Sequence, residues 1–425
     1  MSNPSLRIVM LSDNQGRALV IHPCNELLNL VSVWKHTHRQ LQPLSAHDAE
    51  AFFTQNALNH EKGIGQLLSL PILADPDCQL EGQFEVLEPN SGRVLQLSDE
   101  MIKDTVQQCK LSITTDAIDA KQSSGDDVTV ITRAVEKFTT LRIKQRLEDT
   151  LGLPTLPPTA QKIIELRANP NAGVDDLVPI VQMDPSLSAQ VMSWAASPYY
   201  AAPGGIDSIH DAIVRVLGYD LVVNLALGVA MGRTLKLPTD TPRGSTPYWL
   251  QALFCATLAE KLAKQIPAEI RPRPGLVYLT GLLHNFGYLT LSHVFPPHFS
   301  LVSRYIEANP HLHHEYVEKQ ILNVTREQVG AWLMETWNLP DEVCKGIRFQ
   351  NALSYQDEHQ NYAHIIDLTL RVMRSNGLGD GVDGSVPDSL YQQLGLEPQA
   401  VQNTFNLIYA KTEQLDEMTS FLKVG

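Results

Sequence analysis

The pair His284-Asn285 holds the residues of this sequence whose types and position come nearest to metal chemistry. It ends an apolar stretch of helical character that begins at Gly281. A histidine followed by aspartate at such a helix end could give two ligands to a divalent metal, because such metals bind imidazole and anionic oxygen. Asparagine offers only a neutral carbonyl oxygen, and losing one negative charge weakens the binding of a dication greatly. Taken alone, the pair fits a core or capping histidine better than a metal site.

Other polar clusters favour surface positions over metal binding. Three histidines, His311, His313 and His314, follow Pro310 and begin a polar helix. The stretch 377–384 is rich in glycine and aspartate, but it lacks the ligand spacing of a calcium loop and the bidentate glutamate at its end. We therefore expect surface histidines and a mobile surface loop. The five cysteines are scattered without a CxxC pair, which favours free thiols in a reducing cytoplasm.

The charge and hydropathy of the chain restrict its function. The chain has 425 residues, enough for two or three domains, and a formal net charge of -14. Proteins that bind nucleic acid through bulk electrostatics need a basic face, so this class is disfavoured. No stretch approaches the ~20 consecutive apolar residues of a membrane span, and the N-terminus lacks a signal-peptide pattern. We expect a cytoplasmic protein with no membrane partner.

The predicted secondary structure that must position these residues changes along the chain, from mixed strands and helices to helices alone. Two hairpins are predicted early, one joining 6–11 to 17–21 and the other joining 84–87 to 93–97. A helix is predicted over 26–38, and Gly65 begins a predicted loop that leads into a strand. The polar stretch 112–127 lacks apolar periodicity, which is typical of a linker. Beyond it the apolar spacing is helical to the end of the chain, with no strand pattern.

Five ordered motifs mark the second part of the chain. They are LPTLPP at 153–158, VQMDPSL at 181–187, DSIHDAIVRVLG at 207–218, GLLHNFG at 281–287, and VGAWL at 329–333 with WNLP at 337–340. Together they resemble the HDOD domain, a variant of the HD phosphohydrolase superfamily used in bacterial signalling. Their order and density are specific for that fold. The resemblance implies an all-helical domain.

The same resemblance identifies a pocket that binds metal in the catalytic members of the superfamily. Transferred residue by residue, the pocket consists here of Gln251, His284, Asn285 and Asp367. The next expected histidine position falls near Gln350, where histidine is also absent. One imidazole and one carboxylate remain, and a divalent ion needs more ligands than these. The resemblance thus implies a vestigial pocket without catalytic residues, metal or cofactor, filled by amides that hydrogen-bond to one another.

The N-terminal region resembles a second family. The stretch VMLSDNQGRAL at 9–19 and the glycine-led stretch GIGQLLSLPILADP at 63–76 are similar to the first hairpin and the glycine loop of YbaK-type aminoacyl-tRNA deacylases. The resemblance implies a pocket at Arg7, Gly63 and Gly65. Arg7 stands where the deacylases have a functional lysine, and a planar guanidinium does not replace a compact ammonium. We expect a degenerate pocket that docks or senses a ligand, or a purely structural remnant.

These observations predict a multidomain chain, with a mixed α/β domain followed by an all-helical domain. The predicted bounds are 1–115 for the YbaK-like domain, 116–135 for a polar linker, 136–348 for the HDOD domain and 349–425 for a helical extension completing it. The predicted function is a non-catalytic bacterial signalling protein whose HDOD domain binds a protein partner, although a fold alone does not fix function.

Two alternatives stay open. One is an HD-type metal-dependent phosphohydrolase that acts on a nucleotide or a cyclic dinucleotide. The other is trans-editing of mischarged tRNA by the N-terminal domain, for which an acidic chain is poorly suited.

Overall fold

The structure is a computed structural model of the chain. It describes residues 5–55, 61–116, 126–139, 151–153, 155–169, 171–200, 205–381 and 385–419. Internal contacts divide the chain into two units. Unit 1 contains 1–124, 239–245 and 297–323, and unit 2 contains 125–238, 246–296 and 324–425. Two segments of unit 1 therefore come from inside the range predicted for the helical domain.

Unit 1 is a mixed α/β unit, as the sequence predicts. Its strands are β1 (Leu6–Asp13), β2 (Gly16–Pro23), β3 (Glu26–Leu28), β4 (Gln42–Pro43), β5 (Ile72–Ala74), β6 (Gln83–Glu88), β7 (Arg93–Ser98), β8 (Val106–Gln108) and β9 (Thr114–Asp116). Its first four helices are α1 (Leu30–Thr37), α2 (Ala46–Gln55), α3 (Glu61–Leu68) and α4 (Asp99–Ile102).

The main sheet of unit 1 has the strand order β7-β6-β1-β2-β5-β8, with β4 paired to β1. The pairs β1–β2 and β6–β7 are antiparallel, which confirms both predicted hairpins. The first hairpin turns tightly because the Asp13 carboxylate accepts from the backbone N–H of Gln15 and Gly16. Gly16 has φ +132°, a value that L side chains rarely adopt.

The two faces of this sheet bury different residues. Leu6, Ile8 and Met10 alternate along β1 and pack with Phe53 of α2 and Leu67 of α3 in one core cluster. Side chains of a strand alternate between faces, so the intervening residues of β1 point to the opposite face. The position of a residue in β1 thus decides which layer it can reach.

Two predicted elements of unit 1 are wrong. The segment predicted as the start of a helix at 26 is instead strand β3, which pairs with β9 and leaves the helix to begin at Leu30. The predicted glycine loop at Gly65 lies within helix α3, although the strand that follows it is present as β5. Of the predicted linker, 114–116 form β9 and 117–125 lie outside the described residues.

The helices that follow are α5 (Asp127–Phe138), α6 (Pro158–Ala168), α7 (Val174–Gln182), α8 (Pro185–Ala196), α9 (Ile209–Asp211), α10 (Tyr219–Gly232), α11 (Tyr248–Ala263), α12 (Pro274–Leu283), α13 (Phe286–Val294), α14 (Pro296–Ala308), α15 (His314–Leu322), α16 (Arg326–Thr336), α17 (Asp341–Arg348), α18 (Gln360–Ser375), α19 (Asp388–Leu394), α20 (Pro398–Tyr409) and α21 (Thr412–Thr419). Beyond Asp116 the described residues contain no strand, as predicted. Helices α14 and α15 lie in unit 1 from Pro297 on, and the others lie in unit 2.

Local signals explain several helix ends in unit 2. The Asp184 carboxylate accepts from the N–H groups of Ser186 and Leu187, and Pro185 occupies the first turn of α8. Thr325 and Gln328 form a reciprocal capping box at the start of α16. One predicted helix differs, because α9 continues as a π-helical turn, Ala212–Leu217, in which Gly218 N–H bonds to the Ile213 carbonyl at 2.7 Å.

Helices α11 and α12 form the centre of unit 2 and are buried along most of their length. Within the described residues no single helix is both long enough and apolar enough to span a membrane. The segments Ile209–Leu217 and Tyr219–Gly232 have that length and composition only when taken together, and a bend of 118° separates them.

Candidate functional site

The glycines on either side of His284-Asn285 explain how the pair is positioned between helices. A Cβ at Gly281 would lie 2.7 Å from the Cα of Ala256, so α11 and α12 approach closely here. A Cβ at Gly287 would lie 1.8 Å from the carbonyl oxygen of Arg326, so α13 and α16 are also in backbone contact. The two close approaches bring α11 and α16 against the junction of α12 and α13, where the pair lies.

His284 is buried and neutral. Its Nδ1 lies 2.6 Å from the carbonyl oxygen of Gly281, which makes Nδ1 the protonated nitrogen and leaves the lone pair on Nε2. No described residue donates to that buried Nε2. The pKa of His284 is lowered to about 4, chiefly by burial. The bond to Gly281 raises the pKa, and the nearby charge of Arg326 lowers it. The side chain therefore offers one free imidazole lone pair at neutral pH.

Asn285 is bound by an arginine. Its Oδ1 accepts from Nη1 of Arg326 at 3.2 Å, and both residues are buried, with 5% and 3% of their surface exposed. The Arg326 guanidinium carbon lies 4.7 Å from the ring centre of Tyr288, a cation–π arrangement. A buried guanidinium thus supplies positive charge directly beside Asn285.

The other predicted pocket residues also lie in unit 2, on α11 and α18. Gln251 is buried on α11, and its Oε1 has no donor among the described residues. Asp367 is buried on α18, where its Oδ1 accepts from Nε of Arg371 at 2.7 Å, one turn away on the same helix. Gln350 donates from Nε2 to the backbone carbonyl of His284 at 2.9 Å. The predicted bond between pocket amides is replaced by these bonds to backbone and arginine.

The loop that follows α18 lies against this pocket. The Gly379 N–H donates to Oγ1 of Thr246 at 2.8 Å, and a Cβ on Gly379 would lie 3.3 Å from Nε2 of Gln251. Desolvation raises the pKa of the Asp380 carboxyl, and the charges of Arg326 and Arg374 oppose that shift. The predicted loop is at the surface at residues 377 and 381, which are exposed, whereas 378–380 are partly buried against the pocket; residues 382–384 lie outside the described residues.

A divalent metal of the HD type does not fit these residues. Its preferred ligands are several imidazoles and carboxylates converging on one point. Here His284 Nε2 offers a lone pair, the Asp367 carboxylate is paired with Arg371, and positions 251 and 285 carry amides. In the described part of the chain, neither His284 nor Asp367 belongs to a group of three His, Cys, Asp or Glu residues close enough to share an ion. The positive charge in the pocket comes from arginine instead.

The predicted N-terminal pocket is not brought together. Arg7 lies in β1 opposite His22 and donates from Nε to the carbonyl of Cys24 at 3.4 Å. Gly63 and Gly65 lie in α3, whose Leu67 packs with Leu6 and Ile8 on the other face of the sheet. Arg7 and the α3 glycines are therefore separated by the sheet itself. Arg7 instead lies near His22, which is also close to Asp75, and no local sequence pattern predicts this grouping.

Arg326 and Asp380 are the pocket residues that sequence reasoning missed. Arg326 follows the cap residue Thr325, a position typical of a solvated helix start, and nothing in its local sequence indicates burial. Asp380 lies in a glycine-rich stretch that is typical of surface loops.

Comparisons with known proteins place the helical part of the chain among familiar folds. A family model described as the HDOD domain matches residues 153–353. A crystal structure of a candidate signal transduction protein from Marinobacter aquaeolei is 39% identical, covers 98% of this chain and 93% of its own, and has a TM-score of 0.89. An HDOD domain protein of unknown function from Geobacter sulfurreducens shares the fold, with 20% identity, a TM-score of 0.50, and coverage of 70% of this chain and 98% of its own.

One curated relative is similar over part of the chain. It is an uncharacterized protein of Treponema pallidum, 27% identical over an alignment of 277 residues that covers 62% of this chain. The match spans 51% of the relative, so the chain covers about half the length of that protein.

Proposed function

Because this chain belongs to the HDOD-domain family, we propose that it is a non-catalytic signalling protein whose helical unit binds a protein partner. The observation that carries the proposal is the bond from Arg326 to Asn285 in the pocket where catalytic HD relatives hold a metal. A guanidinium beside the pair supplies the charge that a metal would supply, but it cannot deliver an activated water. The pocket is then a degenerate metal site with a structural role.

The main alternative is a metal-dependent phosphohydrolase, and one observation favours it. The free lone pair on His284 Nε2 has the tautomer and the burial of a metal ligand. Against this, an imidazole alone does not retain a divalent ion, and amides hold the neighbouring positions.

Metal content distinguishes the two functions. The chain is purified without chelating tags or chelators, and iron, manganese, magnesium and zinc are measured per chain by elemental analysis. The same sample is assayed with nucleotide monoesters and cyclic dinucleotides, with and without added manganese. We expect metal far below one ion per chain and no hydrolysis above the buffer rate. Near-stoichiometric metal together with hydrolysis that a chelator abolishes would overturn the proposal.

A partner is tested separately from the reaction. We expect a defined protein to bind the chain with saturable affinity that is unchanged by a chelator, since the proposed partner contacts the protein and not a metal. Binding that disappears on chelation would contradict a metal-free interaction module.

We also propose that unit 1 is a degenerate YbaK-like domain with a docking or sensing role. Arg7 at the lysine position and Gly63 and Gly65 within a helix support the loss of deacylation. Mischarged tRNA incubated with the chain is expected to deacylate at the uncatalysed rate. Acceleration that declines steeply with salt would favour tRNA editing instead.

A further inference from the structure

Unit 1 contains a recess that the proposed signalling function does not use. Its volume is about 480 Å³, within the range of small-molecule sites, and the lining includes Trp34, Gln42, Asp240, Ser300, Leu301 and Arg304. These residues come from α1, β4, α14 and the 239–245 segment, all parts of unit 1. The recess is therefore complete within one unit.

The charged wall of the recess is fixed by a buried carboxylate. Glu307, with 3% of its side chain exposed, accepts from the backbone N–H of Arg243 at 2.6 Å and from its Nη2 at 2.6 Å. The same carboxylate lies 3.2 Å from Nη2 of Arg304. Arg243 also donates to the carbonyl of Pro43 at 2.5 Å. Two guanidinium groups are thus held in place without a ligand, which lowers the entropy cost of binding one.

Several polar atoms at the recess are uncommitted. The Nε of Arg304 is buried and has no acceptor among the described residues. Its Nη2 binds Oδ1 of Asp240 at 2.9 Å, which leaves Asp240 Oδ2 without a described donor. A buried guanidinium N–H without an acceptor is costly, so a ligand oxygen placed against this atom would offset that cost.

The charges around these atoms select the chemistry of the ligand. Arg304 presents a donor suited to a carboxylate, and Asp240 presents an acceptor suited to an ammonium group. A phosphate dianion would meet the repulsion of both Asp240 and Glu307, whereas a zwitterion satisfies both signs at once. Trp34 and Leu301 supply an amphipathic and an apolar wall for the body of the ligand.

We propose that this recess binds a free amino acid with an apolar or aromatic side chain. The carboxylate bonds to Arg304 Nε, the ammonium group bonds to Asp240 Oδ2, and the side chain lies against Trp34 and Leu301. Gln42 and Ser300 are placed to complete the hydrogen bonds of the ligand. Unit 1 then acts as the input that senses a metabolite, independently of what the helical unit binds.

Calorimetry on the whole chain tests the site with L-leucine, L-phenylalanine and L-tryptophan as probes. Two analogues of phenylalanine, 3-phenylpropionate and phenethylamine, each lack one of its charges. We expect saturable binding of at least one amino acid, and for phenylalanine an affinity about tenfold or more above that of either analogue, because each loses one charge-assisted bond. No binding of any of the three amino acids would overturn the proposal, as would tighter binding of a nucleoside monophosphate added as a competitor.

Matched variants assign the binding to this recess. Asp240→Asn keeps the size of the side chain and removes its charge, so amino-acid affinity falls about tenfold while the affinity for 3-phenylpropionate does not fall. Asp77→Asn removes an exposed carboxylate elsewhere in unit 1 and leaves both affinities unchanged. Trp34 is the tryptophan of unit 1, and Trp34→Phe should abolish any fluorescence change on binding. Equal affinities in wild type and Asp240→Asn would contradict the site.

Discussion

Arg326 and Asn285 are joined by a 3.2 Å hydrogen bond between buried side chains on α16 and at the start of α13. The bond places a permanent cation beside Asn285, the position at which the resemblance to HD enzymes implies an aspartate ligand. Substitutions at position 285 therefore test whether the pocket depends on that cation or retains affinity for a metal.

We expect Asn285→Ala to lower the free energy of unfolding by about 1–3 kcal/mol, because buried Arg326 loses one acceptor. Asn285→Asp gives the guanidinium an ionised acceptor in the same place, so it should unfold no more easily than Asn285→Ala and should bind no metal. Urea denaturation and elemental analysis of the three proteins measure both quantities. A stoichiometric ion in Asn285→Asp would mean that arginine does not satisfy the pocket.

Gly287 is predicted to be intolerant of any side chain. In Gly287→Ala the new Cβ would meet the Arg326 carbonyl oxygen at 1.8 Å and the Gly330 nitrogen at 2.9 Å, both backbone atoms that cannot rotate away. We expect a loss of about 3 kcal/mol or more, or failure to fold. Gly275→Ala is the matched control in the same unit, since its Cβ meets Asp220 at an ordinary 3.4 Å. Similar thermal midpoints for both variants would show that α13 and α16 can separate cheaply.

His22 gives unit 1 a defined acid sensitivity. It is fully buried, and desolvation lowers its pKa from 6.5 to about 4; the bond to Pro23 and the charge of Asp75 oppose the shift, and Arg7 adds to it. The unfolded chain then binds a proton between pH 6.5 and 4 that the folded chain does not bind. Stability contributed by neutral His22 is thus complete above pH 6.5 and declines as the pH falls.

The variant His22→Asn isolates this effect from that of neighbouring His311, whose pKa burial lowers to about 3. Between pH 7 and pH 4.5 we expect the wild type to lose about 2 kcal/mol more than the variant. Denaturation curves at the two pH values measure the difference. Equal losses would mean that His22 keeps an ordinary pKa in the folded chain.

Asp75 is predicted to anchor the segment that leads into β9. Its Oδ2 accepts from Ser112 Oγ at 2.9 Å, from the Ile113 N–H at 2.8 Å and from Thr114 Oγ1 at 3.1 Å. Asp75→Ala removes the acceptor from buried donors and should cost about 3 kcal/mol.

Asp77→Ala, two residues away and exposed, should change stability by less than about 0.5 kcal/mol. Hydrogen exchange at Thr114 and Thr115 provides a local measurement, and faster exchange is expected in Asp75→Ala alone. Equal exchange rates in both variants would show that Asp75 does not anchor this segment.

The elements that the sequence predicted well are those with local signals. The hairpin of β1 and β2 follows from a turn of Asp, Asn and Gly between β-rich runs, and α8 follows from Asp184 and Pro185. The helix predicted from 26 onward failed because Glu26 pairs with Asp116, and a strand that exists through a distant partner leaves no local trace. The loop prediction at Gly65 is wrong because glycine indicates a loop on average, whereas α3 is stabilised by packing of its apolar face in the core.

The candidate site also contains features with a local sequence signal and features that depend on distant residues. That Gln251 and Asn285 carry neutral amides, where the resemblance to HD enzymes implies metal ligands, is visible in the residue types themselves. The position of Arg326 beside Asn285 is not, because Arg326 lies 41 positions from Asn285 and reaches it only through helix packing. Likewise, Arg7 and Gly65 both belong to unit 1, but alternation along β1 places them on opposite sides of the sheet.

The discontinuous make-up of unit 1 has a consequence for biosynthesis. Asn309 bonds to both the N–H and the carbonyl of Leu28, at 2.7 and 3.2 Å, and Arg243 reaches the carbonyl of Pro43. On the ribosome the strands of unit 1 emerge before these partners: Arg243 follows only after α6–α10, and Asn309 only after α6–α13. Until then the backbone groups of Leu28 and Pro43 lack these hydrogen-bond partners. Unit 1 therefore completes its folding late, although its strands are synthesised before the helices of unit 2.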